Sequence, residues 1–122
     1  MEKRILVVED NMLVQEVYAS ALQQLDCDVV TADDGQEALE LAAEETPDLI
    51  IMDVMLPGVS GLDLVRQMKA DPALKDVPII VVTTMATAGD ESKVLETGAD
   101  AYLAKPIQVD QFIEAVRTTL GL

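Results

Sequence analysis

Residues 49–58 read LIIMDVMLPG, and this segment decides how the rest of the sequence is interpreted. Its four leading apolar residues predict a strand that is covered on both faces. Asp53 follows them directly, and apolar residues resume after it. A lone buried carboxylate is costly unless a partner compensates its charge. We therefore expect Asp53 to stand at the open end of a buried strand, beside groups that balance it.

Four further apolar runs have the same character. They lie at residues 5–8, 29–32, 79–82 and 102–104, and apolar residues at helical spacing lie between and after them. These spaced residues line the faces of five predicted helices: Val14, Val17, Tyr18, Ala21, Leu22 and Leu25; Ala38, Leu41 and Ala42; Leu62, Val65 and Met68; Val94 and Leu95; Val109, Phe112, Ile113, Val116 and Leu120. Five strand–helix units predict an α/β fold, an open and mostly parallel sheet with helices on both faces.

Length and composition exclude several classes of protein. The chain has 122 residues and a formal net charge of -15, which would repel a nucleic-acid backbone, so direct nucleic-acid binding is not expected. No apolar run is long enough to cross a membrane, and the N-terminus lacks the apolar core of a secretion signal. The single cysteine, Cys27, is interpreted as a part-buried packing residue. We expect one cytoplasmic domain, residues 1–122, with no output domain.

Polar residues occupy the ends of four predicted strands. Glu9 and Asp10 follow the first strand, Asp53 the third, Thr83 the fourth and Lys105 the fifth. Because ligands of open α/β sheets bind at the carboxyl ends of the strands, these side chains should converge. Three close carboxylates repel one another, and a divalent cation removes that cost. The chain has no histidine, and all-oxygen ligands favour Mg²⁺ or Mn²⁺.

A lysine beside such a cation supplies more positive charge than one carboxylate requires. The surplus suits a further dianionic group such as a phosphoryl. Asp53 is therefore predicted to be a nucleophile that forms an aspartyl phosphate. Thr83 is placed to donate a hydrogen bond to a phosphoryl oxygen, and the cation would offset charge during an in-line transfer.

The whole chain resembles the receiver domains of response regulators in two-component signalling. The matching segments are ILVVEDN at 5–11, PDLIIMDVMLPGVSGLDL at 47–64, VPIIVVTT at 77–84 and GADAYLAKPI at 98–107. The acidic pair, the central aspartate, the threonine and the Lys-Pro pair occur in the family's order. Among receivers, the chain is most similar to chemotaxis-type and to single-domain or phosphorelay members.

The resemblance implies a flavodoxin-like sheet of strand order 2-1-3-4-5 and a site that binds Mg²⁺. Asp53 would accept the phosphoryl group and also contact the metal. Asp10 would bind Mg²⁺ directly and Glu9 mainly through water, while the main-chain carbonyl of Met55 would complete the protein ligands.

The resemblance also implies a phosphorylation-activated switch. Lys105, joined by a cis peptide bond to Pro106, would pair with the phosphoryl group. Thr83 and Tyr102 would move inward and change the face formed by the fourth helix, the fifth strand and the last helix. The phosphoryl donor would be a sensor histidine kinase or a histidine phosphotransfer protein, and the changed face would bind a downstream protein. A monomer is expected, with dimerisation on phosphorylation as the alternative.

Three other functions stay open at this point. A flavodoxin-like nucleotide binder shares the architecture, although carboxylates stand where it would have a phosphate-binding loop. A phosphatase of the haloacid-dehalogenase type would need an acid at Met55. A degenerate receiver would act only as a protein-docking module, although Asp53, Asp10, Thr83 and Lys105 are all present. The resemblance implies self-phosphorylation and self-dephosphorylation, and so not a conventional enzyme.

Overall fold

The computed structural model describes residues 3–54, 56, 60–83, 88–105 and 107–122, with the side chains of 88–91 excepted. The strands are β1 (Arg4–Val8), β2 (Asp28–Ala32), β3 (Leu49–Asp53), β4 (Ile79–Thr83) and β5 (Ala101–Ala104). The helices are α1 (Met12–Leu22), α2 (Gly35–Glu44), α3 (Gly61–Ala70), α4 (Ala88–Glu96) and α5 (Val109–Leu120). The strands form one parallel sheet in the order β2-β1-β3-β4-β5. The predicted fold and strand order are therefore confirmed.

The core has two layers, one on each side of the sheet, because successive strand residues point to opposite faces. Val7 and Ile51 belong to the layer that packs against α1 and α5. Val8 and Met52 belong to the layer that packs against α2, α3 and α4. The central strands β3 and β4 are buried along their whole length, whereas the edge strands β2 and β5 are only partly buried. This coverage explains why the central strands are continuous apolar runs.

Short polar side chains begin the first three helices. Asn11 Oδ1 accepts hydrogen bonds from the backbone N–H groups of Leu13 and Val14 at 2.9 and 3.2 Å. Asp34 caps α2 and Ser60 caps α3 in the same way. These caps satisfy N–H groups that have no partner within the helix. The caps of α1 and α2 lie in the turns that follow β1 and β2.

Helix α1 differs from its prediction in length and in rotation. It ends at Leu22, and a 3-10 turn over Gln23–Leu25 follows it, so Leu25 lies outside α1. The buried residues of α1 are Gln15, Tyr18, Ala21 and Leu22. Val17 precedes Tyr18 by one position, a rotation of about 100° around the helix, and it is 55% exposed. Its prediction as a core residue was wrong.

Two other predicted core residues are also exposed. Leu95 and Val109 are each 44% exposed, although their neighbours Val94 and Phe112 are buried. An apolar residue at helical spacing is therefore not always part of the buried stripe. The prediction for Cys27 is confirmed, since it is partly buried and its thiol donates to the Leu25 carbonyl at 3.6 Å. Across the described part of the chain, no helix has the length and apolar character needed to cross a membrane.

Gly61 lets the start of α3 approach the end of β3. A Cβ atom at this position would lie 2.7 Å from the Cα of Val54 and would overlap the main-chain carbonyl of Asp53. The Gly61 N–H also donates to the Val54 carbonyl at 2.9 Å. The backbone around Asp53 is therefore held by a contact that excludes any side chain.

We predict that Gly61→Ala lowers the free energy of unfolding by about 2–3 kcal/mol, because overpacking forces the backbone to shift. Gly121→Ala is the matched control. Nothing lies within 4 Å of a Cβ at Gly121, and its φ of 73° is the source of strain there, so we expect a loss of about 1 kcal/mol. Urea unfolding measures both. An equal, small loss in the two variants would contradict the proposed steric contact.

Candidate functional site

The site lies where the order of strands reverses. The chain runs from β1 to β2 on one side and then returns to β3 on the other side of β1. The carboxyl ends of β1 and β3 flank this reversal, which is where ligands of open α/β sheets bind. Glu9 and Asp10 follow β1, and Asp53 is the last residue of β3.

Four of the predicted site residues come together here. One carboxylate oxygen from each of Glu9, Asp10 and Asp53 lies within 4.8 Å of the other two. The Lys105 ammonium lies 3.4 Å from Glu9 Oε2 and 3.3 Å from Asp53 Oδ2. Glu9 and Asp53 are only 2% and 3% exposed, whereas Asp10 is exposed. The result is a pocket with two buried carboxylates and a third at its mouth.

Strand periodicity explains why three of these side chains meet. Glu9, Asp53 and Lys105 each lie two residues beyond a strand residue of the layer that faces α1 and α5. Those strand residues are Val7, Ile51 and Leu103. Because side chains two apart share a face, Glu9, Asp53 and Lys105 continue that face past the ends of β1, β3 and β5.

The negative charge of the pocket is not balanced by the described side chains. Three carboxylates face one ammonium group. Burial, and after it the neighbouring Asp53 carboxyl, raise the pKa of Glu9 to about 7. The Asn11 N–H, which donates to Glu9 Oε1 at 3.2 Å, and the Lys105 charge only partly oppose this. Such a set of oxygen ligands fits a hard divalent cation such as Mg²⁺.

Tyr18 lies in the layer below the pocket. It is buried, and its ring stacks on Phe112 with centroids 5.0 Å apart. Burial raises the pKa of the Tyr18 hydroxyl, and the charges of Glu9 and Asp53 add to this effect. The field of the two carboxylates therefore reaches into the core between the sheet and α1.

Thr83 and Tyr102 lie on the opposite face of the sheet from Lys105. Val81 pairs with Tyr102 in the register of β4 and β5, and both pack in the layer that faces α2, α3 and α4. Thr83 is buried and lies two residues beyond Val81, so it shares that face. The Lys105 N–H donates to the Thr83 carbonyl at 2.7 Å. Lys105 thus contacts Glu9 and Asp53 through its side chain and Thr83 through its main chain.

Two predictions fall on positions outside the described residues. One is the main-chain carbonyl of Met55 as a metal ligand. The other is the cis bond between Lys105 and Pro106. Both stay predictions.

Sequence reasoning missed Gln15, which the structure places directly behind the pocket. Gln15 is buried, and its side-chain nitrogen donates to the Glu9 carbonyl and to Asp33 Oδ1, the latter at 2.8 Å. The signal was present in the sequence. Gln15 stands three residues before Tyr18 and seven before Leu22, on the face that α1 turns to the core. A polar residue on such a face is informative because buried polar groups need specific partners.

Comparison with known proteins identifies the family. Residues 5–117 match the response regulator receiver domain, and the chain belongs to this family. It is 40% identical over 121 residues to the polar-differentiation response regulator DivK of Brucella anthropi, with 99% of this chain and 98% of the relative covered.

Two solved structures show the same fold. The chemotaxis response regulator CheY4 of Vibrio cholerae matches with a TM-score of 0.92 and 28% identity, over 98% of this chain and 100% of that chain. The receiver domain of the sensor histidine kinase PA1611 of Pseudomonas aeruginosa matches with a TM-score of 0.89 and 33% identity, over 100% of both chains. The PA1611 structure has a magnesium ion coordinated in its active site cleft.

The predicted family membership is thus confirmed. Receiver domains are phosphorylation-based signalling switches that bind Mg²⁺ in an acidic pocket and interact with histidine kinases and downstream targets. This chain carries such a pocket at Glu9, Asp10 and Asp53. The family match sets aside the nucleotide-binding and phosphatase alternatives.

The pKa of Glu9 predicts an unusual pH dependence of stability in the metal-free protein. Folding raises this pKa from 4.5 to about 7, so the folded state binds more protons than the unfolded chain between these values. The contribution of Glu9 to the free energy of unfolding is complete below pH 4.5 and is lost as the pH rises through about 7. We expect Glu9→Gln to abolish this decrease in stability with rising pH.

The measurement is urea unfolding in the presence of a chelator across that pH range, for the wild type, Glu9→Gln and the exposed control Glu44→Gln. The control should follow the wild type. If Glu9→Gln also follows the wild type at every pH, Glu9 is not the group that titrates.

Proposed function

We propose that this receiver accepts a phosphoryl group on Asp53 from a phosphohistidine, with Mg²⁺ bound by Asp10, Asp53 and, mainly through water, Glu9. The donor is a sensor histidine kinase or a histidine phosphotransfer protein. The observation that carries the proposal is the position of Lys105, whose ammonium contacts both Asp53 and Glu9 in a pocket that already contains three carboxylates.

The transfer is a displacement at phosphorus. An Asp53 carboxylate oxygen forms the new O–P bond while the N–P bond of the phosphohistidine breaks, and the electron pair of that bond leaves with the imidazole nitrogen. Bound Mg²⁺ supplies charge neutralisation for the transferring group. Lys105 holds its ammonium 3.3 Å from Asp53 Oδ2, so it is placed to offset the charge of the incoming phosphoryl oxygens.

The phosphohistidine lies outside these 122 residues, because they contain no histidine. The entrance to the pocket suits a protein donor. Asp10 is exposed at the mouth, and the first two residues of α1, Met12 and Leu13, are each 72% exposed. Exposed apolar side chains grouped beside a reactive group are typical of protein-binding surfaces.

Phosphorylation would be transmitted through Lys105, Thr83 and Tyr102. A phosphoryl group adds ~1.5 to 2 negative charges at Asp53 and draws Lys105 away from Glu9. Lys105 is bonded through its N–H to the Thr83 carbonyl, and Thr83 shares a face with Tyr102. A shift in the population of these side-chain positions would change the surface formed by α4, β5 and α5. That surface would bind the downstream protein or a second copy of the chain.

The direct test is intact mass after incubation with acetyl phosphate and Mg²⁺. We expect the wild type to gain one phosphoryl group and Asp53→Asn to gain none, because an amide is not a nucleophile for this reaction. Asp63→Asn, which changes an exposed aspartate of α3, is the matched control and should gain the group as the wild type does. Chelation of Mg²⁺ should abolish the gain. No gain in the wild type would mean a docking module without phosphoryl transfer.

A second experiment tests the transmission step. Thr83→Ala should still be phosphorylated, since Thr83 is not the nucleophile. However, the amide chemical-shift changes that phosphorylation causes on α4 and β5 should be largely lost in NMR spectra. Thr31→Ala, on the opposite edge strand β2, is the control and should keep these changes. Full changes in Thr83→Ala would exclude a role for the Thr83 hydroxyl in the switch.

A further inference from the structure

We propose that Gln15 is a positioning residue that raises the affinity of the pocket for Mg²⁺ by donating a hydrogen bond to the carbonyl of the peptide group between Glu9 and Asp10. This inference rests on the proposed metal site and adds a residue that does not touch the metal. Gln15 lies on α1, six positions after Glu9, with its carboxamide in the protein interior.

The chemistry of its partners fixes how the carboxamide is oriented. Both partners, the Glu9 carbonyl and the Asp33 carboxylate, are acceptors. Only the NH₂ end of the Gln15 side chain can satisfy both, and it has two N–H groups to donate. A glutamate at this position would set a third acceptor against them, and an apolar residue would leave a buried carbonyl without its donor.

The two peptide groups that flank Glu9 are consequently both held. The N–H of the Val8–Glu9 peptide donates to the Ala32 carbonyl at 3.0 Å, which continues the pairing of β1 with β2. The carbonyl of the Glu9–Asp10 peptide accepts from Gln15 on α1. The directions of the Glu9 and Asp10 side chains depend on this second peptide plane, because the two residues lie on either side of it. Because the turn is held in this way, the Glu9 and Asp10 carboxylates are already in place when a metal binds.

The bond to Asp33 connects this turn with the one that follows β2. The Asp33 N–H donates to Glu37 Oε1 at 2.9 Å, and the Glu37 N–H donates to the cap residue Asp34 at 2.8 Å. Gln15 therefore ties the start of α2 to the turn that carries the metal ligands. It also holds a fourth carboxylate, that of Asp33, by a direct hydrogen bond.

The experiment compares Mg²⁺ affinity and stability in the unphosphorylated protein. Gln15→Met keeps the length of the side chain but removes both donors, and Mg²⁺ titration followed by NMR should show about 10-fold weaker binding, the usual size of such an outer-shell effect. Hydrogen exchange of the Glu9 amide should become faster in the metal-free variant. Asp33→Ala removes only the second bond and should weaken Mg²⁺ binding much less.

Leu74→Ala is the control for loss of stability alone. Leu74 is buried at the far end of the sheet from the pocket, between α3 and β4, and this variant should bind Mg²⁺ as the wild type does. Wild-type Mg²⁺ affinity in Gln15→Met would overturn the inference for Gln15 while leaving the proposed function intact. Absence of Mg²⁺ binding in the wild type itself would overturn both.

Discussion

The repulsion among Glu9, Asp10 and Asp53 is the interaction on which the other features of the site depend. Two of these carboxylates are buried, and the nearby positive charge among the described side chains is the single ammonium of Lys105. Burial and the neighbouring Asp53 hold the pKa of Glu9 near 7. The described side chains therefore leave the pocket with an excess of negative charge, which a divalent cation would balance.

The sheet separates the residues of the acidic pocket from Thr83 and Tyr102. Glu9, Asp53 and Lys105 extend the face that packs on α1 and α5, whereas Thr83 and Tyr102 belong to the face toward α4. Lys105 belongs to both arrangements, since its side chain contacts Asp53 and its main-chain N–H bonds to the Thr83 carbonyl. A change of charge at Asp53 would therefore act on Lys105, whose main-chain N–H is bonded to Thr83 on the other face of the sheet.

The sequence predicted the site better than it predicted the packing of the helices. Residues at strand ends must meet at one edge of a parallel sheet, so Glu9, Asp53 and Lys105 could be placed together without coordinates. The strand order came from the family resemblance. The rotation of α1 could not be predicted, because its apolar residues extend beyond the width of one buried stripe and leave Val17 exposed. The spacing of Gln15 to Tyr18 and Leu22 was visible in the sequence, but Gln15 was missed because its burial depends on which face α1 turns to the core.

The proposed switch depends on Asp53 as the residue that carries the phosphoryl group. An acyl phosphate is reduced by borohydride to an alcohol, whereas a free carboxylate and the phosphate esters of serine and threonine are not. Phosphorylated protein treated with borohydride and then digested should contain homoserine in place of Asp53 when its peptides are sequenced by mass spectrometry. Homoserine at Asp10 or at another aspartate, or incorporated phosphate with no homoserine at all, would contradict the account.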